Sequence, residues 1–205
     1  MNTLLLFDPG HGTRDYTAGK RSPDNTLFEG EWAREMVGRI MMACEEIGLE
    51  CINIVPENKD IARMERVKRA NKIVKDRKDS QCYYLSIHIN AAKSDNLWHS
   101  ASGFSVYVSK NASSKSVDLA RNIYTTAFDF GLQGNRSIPE EKVWRANYDV
   151  LYNTNCPAIL TENFYMDNLV DLEFIKSDRG KEIITNYHLI GICKTLGLPY
   201  SIKIV

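Results

Sequence analysis

The sequence predicts an α/β fold: a single domain built on a largely parallel, twisted sheet of about six strands, with helices on both faces. Three observations carry that expectation. Short apolar runs alternate with longer segments of helical periodicity. Residues able to do chemistry fall where apolar runs end, and sites in open α/β sheets gather at the carboxyl ends of strands. The 205 residues also suffice for one sizeable core, without an internal repeat, a low-complexity segment or a linker to a second domain.

Thr3 to Phe7 (TLLLF) reads as a buried strand. Glu29 to Ile47 places Trp32, Met36, Val37, Ile40, Met41 and Cys44 on one stripe at helical spacing, and Gly48 follows as a stop. Glu50 to Val55 is a second strand ending at Pro56, and Ile61 to Val74 a polar helix with Ile61, Met64, Val67, Ile73 and Val74 as its apolar positions. Strands at Tyr83 to Ile89 and Phe104 to Val108 precede an amphipathic helix from Ser116 to Phe130, closed by Gly131. Val150 to Tyr152 and Ala158 to Thr161 read as two late strands, and Leu169 to Ile175 and Gly180 to Leu196 as closing helices. The long irregular pieces, Gly12 to Phe28 and Asn90 to Ser102, have the length of functional loops.

Composition narrows the classes of function. Basic and acidic residues balance at 26 each, so nothing favours nucleic acid or an anionic membrane as partner. No run approaches the ~20 apolar residues of a membrane span, and no membrane insertion is expected. The first apolar run stops at Phe7, short of the ~7–15 residue core of a secretory signal. Synthesis in the cytoplasm without a signal peptide is the expectation. Cys44, Cys51, Cys82, Cys156 and Cys193 form no CxxC pair and have apolar neighbours, which predicts buried, reduced thiols.

Of the four histidines, His188 reads as a packed or surface residue and His99 as facing solvent or a partner from a polar loop. His11 and His88 each follow an apolar strand. Taken alone, His11 belongs to a Gly-rich turn and His88, between Ile87 and Ile89, to the core. Taken together they supply two nitrogens of the kind zinc takes in hydrolytic sites, which hold three protein ligands and leave a position open. Glu29, opening the first long helix, supplies a third ligand; its plain alternative is complementation of the helix dipole, the role given to Glu31 and Glu35. Glu162 ends an apolar strand, where a carboxylate is costly unless it meets a cation or a task, and is the candidate proton acceptor.

DPGHG at 8–12, Glu29 followed by Trp32, Met36 and Ile40, Arg66 with Ala70 and Asn71, SIHINA at 86–91, Gly103 to Tyr107, and PAILTE at 157–162 with Asn168 succeed one another along nearly the whole chain. In that order they resemble the zinc-dependent N-acetylmuramoyl-L-alanine amidases, in particular the amidase type 3 catalytic domain. The resemblance implies one such domain over residues 1–205; many lysins also carry a separate wall-binding domain, and none is expected here because 205 residues leave no room for one. It also implies zinc held by His11, Glu29 and His88, Glu162 as catalytic residue, and peptidoglycan (muropeptide) as substrate. The reaction implied is hydrolysis of the lactyl–L-alanine amide. ENFYMDN and GKRSP are more similar to the phage-lysin branch, which implies an endolysin or autolysin acting on the wall after the membrane is breached. Many members carry Gly two residues beyond the catalytic Glu, where this chain has Phe164, a departure that bears on the pocket beside Glu162. Two other readings use the same residues: a zinc carboxypeptidase acting on stem peptides, which needs a pocket Arg for the terminal carboxylate, and a wall-binding module without catalysis. Lys20 and Arg21 read as a solvated basic loop, with pairing to stem-peptide carboxylates as the alternative.

Overall fold

The structure, a computed structural model, describes residues 2–200. Its elements run β1 (Asn2–Pro9), α1 (Glu29–Glu46), β2 (Glu50–Asn53), α2 (Arg63–Asp76), β3 (Ser80–Asn90), β4 (Phe104–Val108), α3 (Ser114–Asp129), β5 (Trp144–Arg145), α4 (Asp149–Tyr152), β6 (Ala158–Tyr165), α5 (Leu169–Lys176) and α6 (Asp178–Leu196). One six-stranded sheet has the order β2-β1-β3-β6-β4-β5. All pairings are parallel except β4 with β6.

Leu4 to Phe7 are all buried because both faces of the sheet are covered. Alternation divides them: Leu5 and Phe7 enter the larger core with α1, α3, α5 and α6, while Leu4 and Leu6 join the smaller one under α2 and α4. The α1 stripe of Trp32, Met36, Val37, Ile40 and Cys44 is buried, and the Trp32 indole N–H donates to the Ile175 carbonyl at 2.9 Å. No helix among the described residues is long and apolar enough to cross a membrane.

Several local expectations are corrected. Val150 to Tyr152 is a turn of helix, not a strand; three apolar residues suit either state, and here Val150 and Leu151 pack into the α2 side of the sheet. The sixth strand is instead the two-residue β5, paired with Tyr107 and Val108. β2 stops at Asn53, whose side chain accepts from the Val55 N–H. Helix α2 begins at Arg63, since the Ile61 carbonyl accepts from Arg66 Nε, and Met64 is exposed. β6 runs on to Tyr165, whose N–H is taken by Asp171.

The smaller-core face places the chemistry. Following Leu6, Tyr84 and Leu160 toward the strand ends, it presents Asp8 on β1, Ser86 and His88 on β3, and Glu162 on β6. His88 is the ladder partner of Glu162, and Glu162 that of Ser105 on β4.

Candidate functional site

His11, Glu29 and His88 converge, with one donor atom from each lying within 4.8 Å of the others. Glu29 Oε1 is 3.0 Å from His88 Nδ1, and Oε2 is 3.5 Å from His11 Nε2. The two rings meet edge to face at 5.3 Å. Glu29 is 2% exposed, whereas the histidine side chains keep 26% and 16%, so the cluster opens outward past its imidazoles. Burial opposes the Glu29 charge, but its hydrogen bond with His88 and its position beside both rings hold the carboxyl below the usual range. Burial lowers His11, whereas for His88 the Glu29 partner outweighs burial and raises it.

The backbone that presents these groups is specialised. His11 itself adopts a left-handed conformation, φ 54°, which costs a non-glycine residue about 1–2 kcal/mol. Its carbonyl is held by Arg34 Nη1 at 2.9 Å and Arg66 Nη2 at 3.4 Å. Gly10 serves the other histidine: a Cβ there would lie 2.5 Å from His88 Nδ1. Helix α1 is seated on the same turn, for a Cβ on Gly30 would come within 1.8 Å of the Gly12 carbonyl oxygen. That contact fixes Glu29 one residue earlier.

Behind His88 lies a buried polar chain. Asp8 Oδ1 accepts from Arg66 Nη1 at 2.5 Å, and Oδ2 accepts from the hydroxyls of Tyr84 and Ser86, each at 2.7 Å. Because the Ser86 proton goes to Asp8, Ser86 Oγ is left to accept from His88 Nε2, 3.1 Å away. Nε2 thereby carries a proton, and Nδ1 is the ring nitrogen that faces Glu29, with which it shares a proton when no metal is bound.

Glu162 sits one strand over. It is half-buried, and its Oε2 is shut from solvent without a hydrogen-bond partner. Burial pushes its carboxyl up to about 7, with Glu29 adding to the rise and His88 opposing it. A cavity of about 640 Å³ opens above it, lined by His11, His88, Lys20, Asp60, Arg63 and Tyr148 among others. A carboxylate poised near neutrality beside two imidazoles and an acid is equipped to exchange protons.

The remaining candidates separate. Lys20 is exposed yet lines the cavity; Arg21 is half-buried and its backbone bridges to Phe28. Glu31 pairs with Arg14, and Glu35 with Arg39 and Lys181, away from the cluster. His188 is fully buried, bonded to the Ile184 carbonyl and lowered by burial to about 4. His99 is only 17% exposed and bonds Asp95, which corrects the expectation that it faces solvent. The cysteines are free, with Cys51 and Cys156 only half-buried. Phe164 does not shape the pocket: its ring packs on Phe174 in the larger core, on the far side of the sheet. Its effect is on the backbone. Between the ladder pairs His88–Glu162 and Asn90–Tyr165, β6 carries an extra residue, and Phe164 takes φ 70° in that bulge. Sequence reasoning gave no role to Asp8, Tyr84, Ser86 or Arg34; Asp8 two residues after Leu6, and Ser86 two before His88, were the available signal.

Residues 5–194 match the family described as N-acetylmuramoyl-L-alanine amidase. The chain is 25% identical over 197 residues to the N-acetylmuramoyl-L-alanine amidase CwlM of Bacillus licheniformis, covering 95% of this chain and 69% of that protein. It is 26% identical over 205 residues to the endolysin of Bacillus phage SPP1, covering 97% and 68%. The fold is that of the N-acetylmuramoyl-L-alanine amidase from Clostridium difficile 630, with a TM-score of 0.77 at 20% identity over 96% of this chain and 97% of that one.

Proposed function

The chain belongs to the N-acetylmuramoyl-L-alanine amidase family, and from that premise we propose that it is a zinc-dependent hydrolase of peptidoglycan, working as an endolysin or autolysin. The matched residues act as its catalytic domain. His11, Glu29 and His88 would hold the metal.

The donor set fits zinc on two counts. Two ligands of a tetrahedral zinc at ~2.0–2.1 Å stand about 3.3 Å apart, and the nitrogen–oxygen separations of 3.0 and 3.5 Å bracket that value. Moreover, with the Nε2–H committed to Ser86, Nδ1 is the ring atom available as a ligand, and it faces a carboxylate oxygen, so that one cation between them can take the place of a shared proton. Zinc, when bound, supplies Lewis-acid activation of a water and of the scissile carbonyl.

The chain's own groups do the rest. Glu162, in its ionised form, takes a proton from the attacking water where its carboxylate lines the cavity. The same carboxyl delivers the proton to the departing alanine nitrogen as the lactyl amide breaks. A carboxyl lifted to about 7 suits both halves of that exchange. Arg66, through Asp8 and Ser86, holds the His88 ring in place, and Arg34 with Arg66 holds the His11 turn.

The observation that carries this reading is an unpartnered carboxylate on the ladder position next to a His–Glu–His cluster. Mass spectrometry of a defined muropeptide incubated with zinc-loaded protein tests it. The expected products are the free stem peptide and the intact lactyl glycan, and a chelator should abolish them. Release of a terminal amino acid would mark the carboxypeptidase instead, and an intact substrate would overturn hydrolysis.

A further inference from the structure

We propose that Arg136 is a receptor for a carboxylate on the peptide part of the substrate. The proposal rests on the amidase reading and adds the substrate feature which that reading leaves open.

Arg136 comes from the segment between α3 and β5, which Asn135 ties back to the chain before β4. Asn135 Oδ1 accepts from the Ser102 N–H at 3.0 Å, and Nδ2 donates to the Ser100 carbonyl at 2.6 Å. From there Arg136 Nη1 donates to Ser105 Oγ and to Tyr107 Oη, each at 3.1 Å. Ser105 is the ladder partner of Glu162, and Tyr107 that of Leu160. Directly opposed residues of an antiparallel pair share a face. The guanidinium therefore lies over the face that carries Glu162, one strand beyond it. Its charge is felt there, opposing the rise of the Glu162 carboxyl.

The group is built to be held still. Its guanidinium carbon stands 5.2 Å from the centroid of the Trp144 ring, and the Tyr107 ring lies 5.5 Å from that of Tyr148, which lines the cavity above Glu162.

What Arg136 lacks is an acid. Nearby cations are neutralised: Arg66 by Asp8, Arg63 by Asp149, Arg145 by Glu141. Among the described residues Arg136 has no carboxylate partner: Nη1 donates to the hydroxyls of Ser105 and Tyr107, and the Tyr165 hydroxyl is a third neutral partner. Of the five N–H groups of the guanidinium, donors remain beyond those three. The planar group that carries them matches a carboxylate. Burial opposes the charge, but the Tyr107 and Tyr165 hydroxyls outweigh it and hold the guanidinium charged, ready for a ligand that brings the missing acid. Lys20, which lines the cavity, is exposed and offers a point charge instead of a planar fork, and so makes a poorer bidentate partner.

The test uses zinc-loaded protein carrying Glu162→Gln, so that binding is read without turnover. Two muropeptides are titrated calorimetrically, identical except that one has its stem-peptide carboxylates amidated. With Arg136 present, the free-carboxylate form should bind roughly ten- to a hundredfold more tightly. Adding Arg136→Met should collapse that preference to within about threefold, and Arg136→Lys should leave an intermediate value. Equal affinities with Arg136 present would overturn the proposal, as would a preference that survives Arg136→Met or one removed by Lys20→Met instead. If Arg136→Met does not fold, the Arg136→Lys value decides: an undiminished preference refutes the fork. Failure of the amidase reading registers separately, as muropeptide left intact by the wild-type protein whatever the two affinities.

Discussion

Replacing Glu162 by Gln separates the role of its charge from the role of its shape. In the metal-free protein the carboxyl has a folded pKa of about 7 against an ordinary 4.5, raised first by burial. The folded state therefore binds a proton more tightly than the unfolded state between those two values. Stability is highest while Glu162 is protonated and falls as pH rises through the window from about 4.5 to about 7. Two and a half units at 1.36 kcal/mol each make the loss on the order of 3 kcal/mol at pH 8. Gln cannot ionise and escapes it. The amide has its own burial cost, but that cost does not vary with pH, so the difference between the two proteins isolates the carboxylate. Urea unfolding of both proteins without metal, from pH 4 to 8, should give curves that diverge across the window in favour of Gln. Added zinc should narrow the gap, since a cation beside Glu162 stabilises its ionised form. Parallel pH–stability curves would refute the assignment of Glu162 as a group held near neutrality. With zinc present, the variant should keep its metal while turnover falls ~10²–10⁴-fold. Near wild-type cleavage would hand proton transfer to another group, and loss of zinc would exchange the roles of Glu162 and Glu29.

Three further outcomes test the supporting structure. Ser86→Ala leaves His88 Nε2 without its acceptor, so zinc affinity measured by chelator competition should fall about 10–100-fold; Tyr84→Phe, which removes a donor to the same Asp8 oxygen without touching His88, should cost stability with a change under about threefold in zinc affinity. Glu29→Gln weakens a charged ligand, and its activity should be partly restored by excess zinc, whereas activity of Glu162→Gln should not respond to metal. Phe164→Ala empties a buried aromatic site and should cost about 3–5 kcal/mol, yet Phe164→Gly, relieved of the φ 70° backbone, should be the more stable of the two in denaturant melts, reversing the usual order in strands.

Much of the site was legible because it obeys local rules. Strand alternation alone assigns Leu6 and Asp8, Ser86 and His88, and Leu160 and Glu162 to common faces, and helical spacing places Glu29 at the start of an amphipathic stretch whose buried stripe matches the expectation almost residue for residue. The same rules fail at Val150 to Tyr152, where three apolar residues carry no period, and at β5, whose two residues are a strand only because β4 lies beside them. His11 and Phe164 hold left-handed backbones that neither residue type favours, and at His11 two arginines from distant helices grip the carbonyl. The proton on His88 Nε2 depends on a serine proton committed to Asp8, and Arg136 comes to the Glu162 face only through Ser105, across an antiparallel pairing that closes after the whole α3 crossover. Periodicity reports which way a side chain faces, and that is a property of neighbours in the chain. Which groups then meet is set by strand register and by contacts between residues 20 to 80 positions apart, and these come into being only when the sheet has formed.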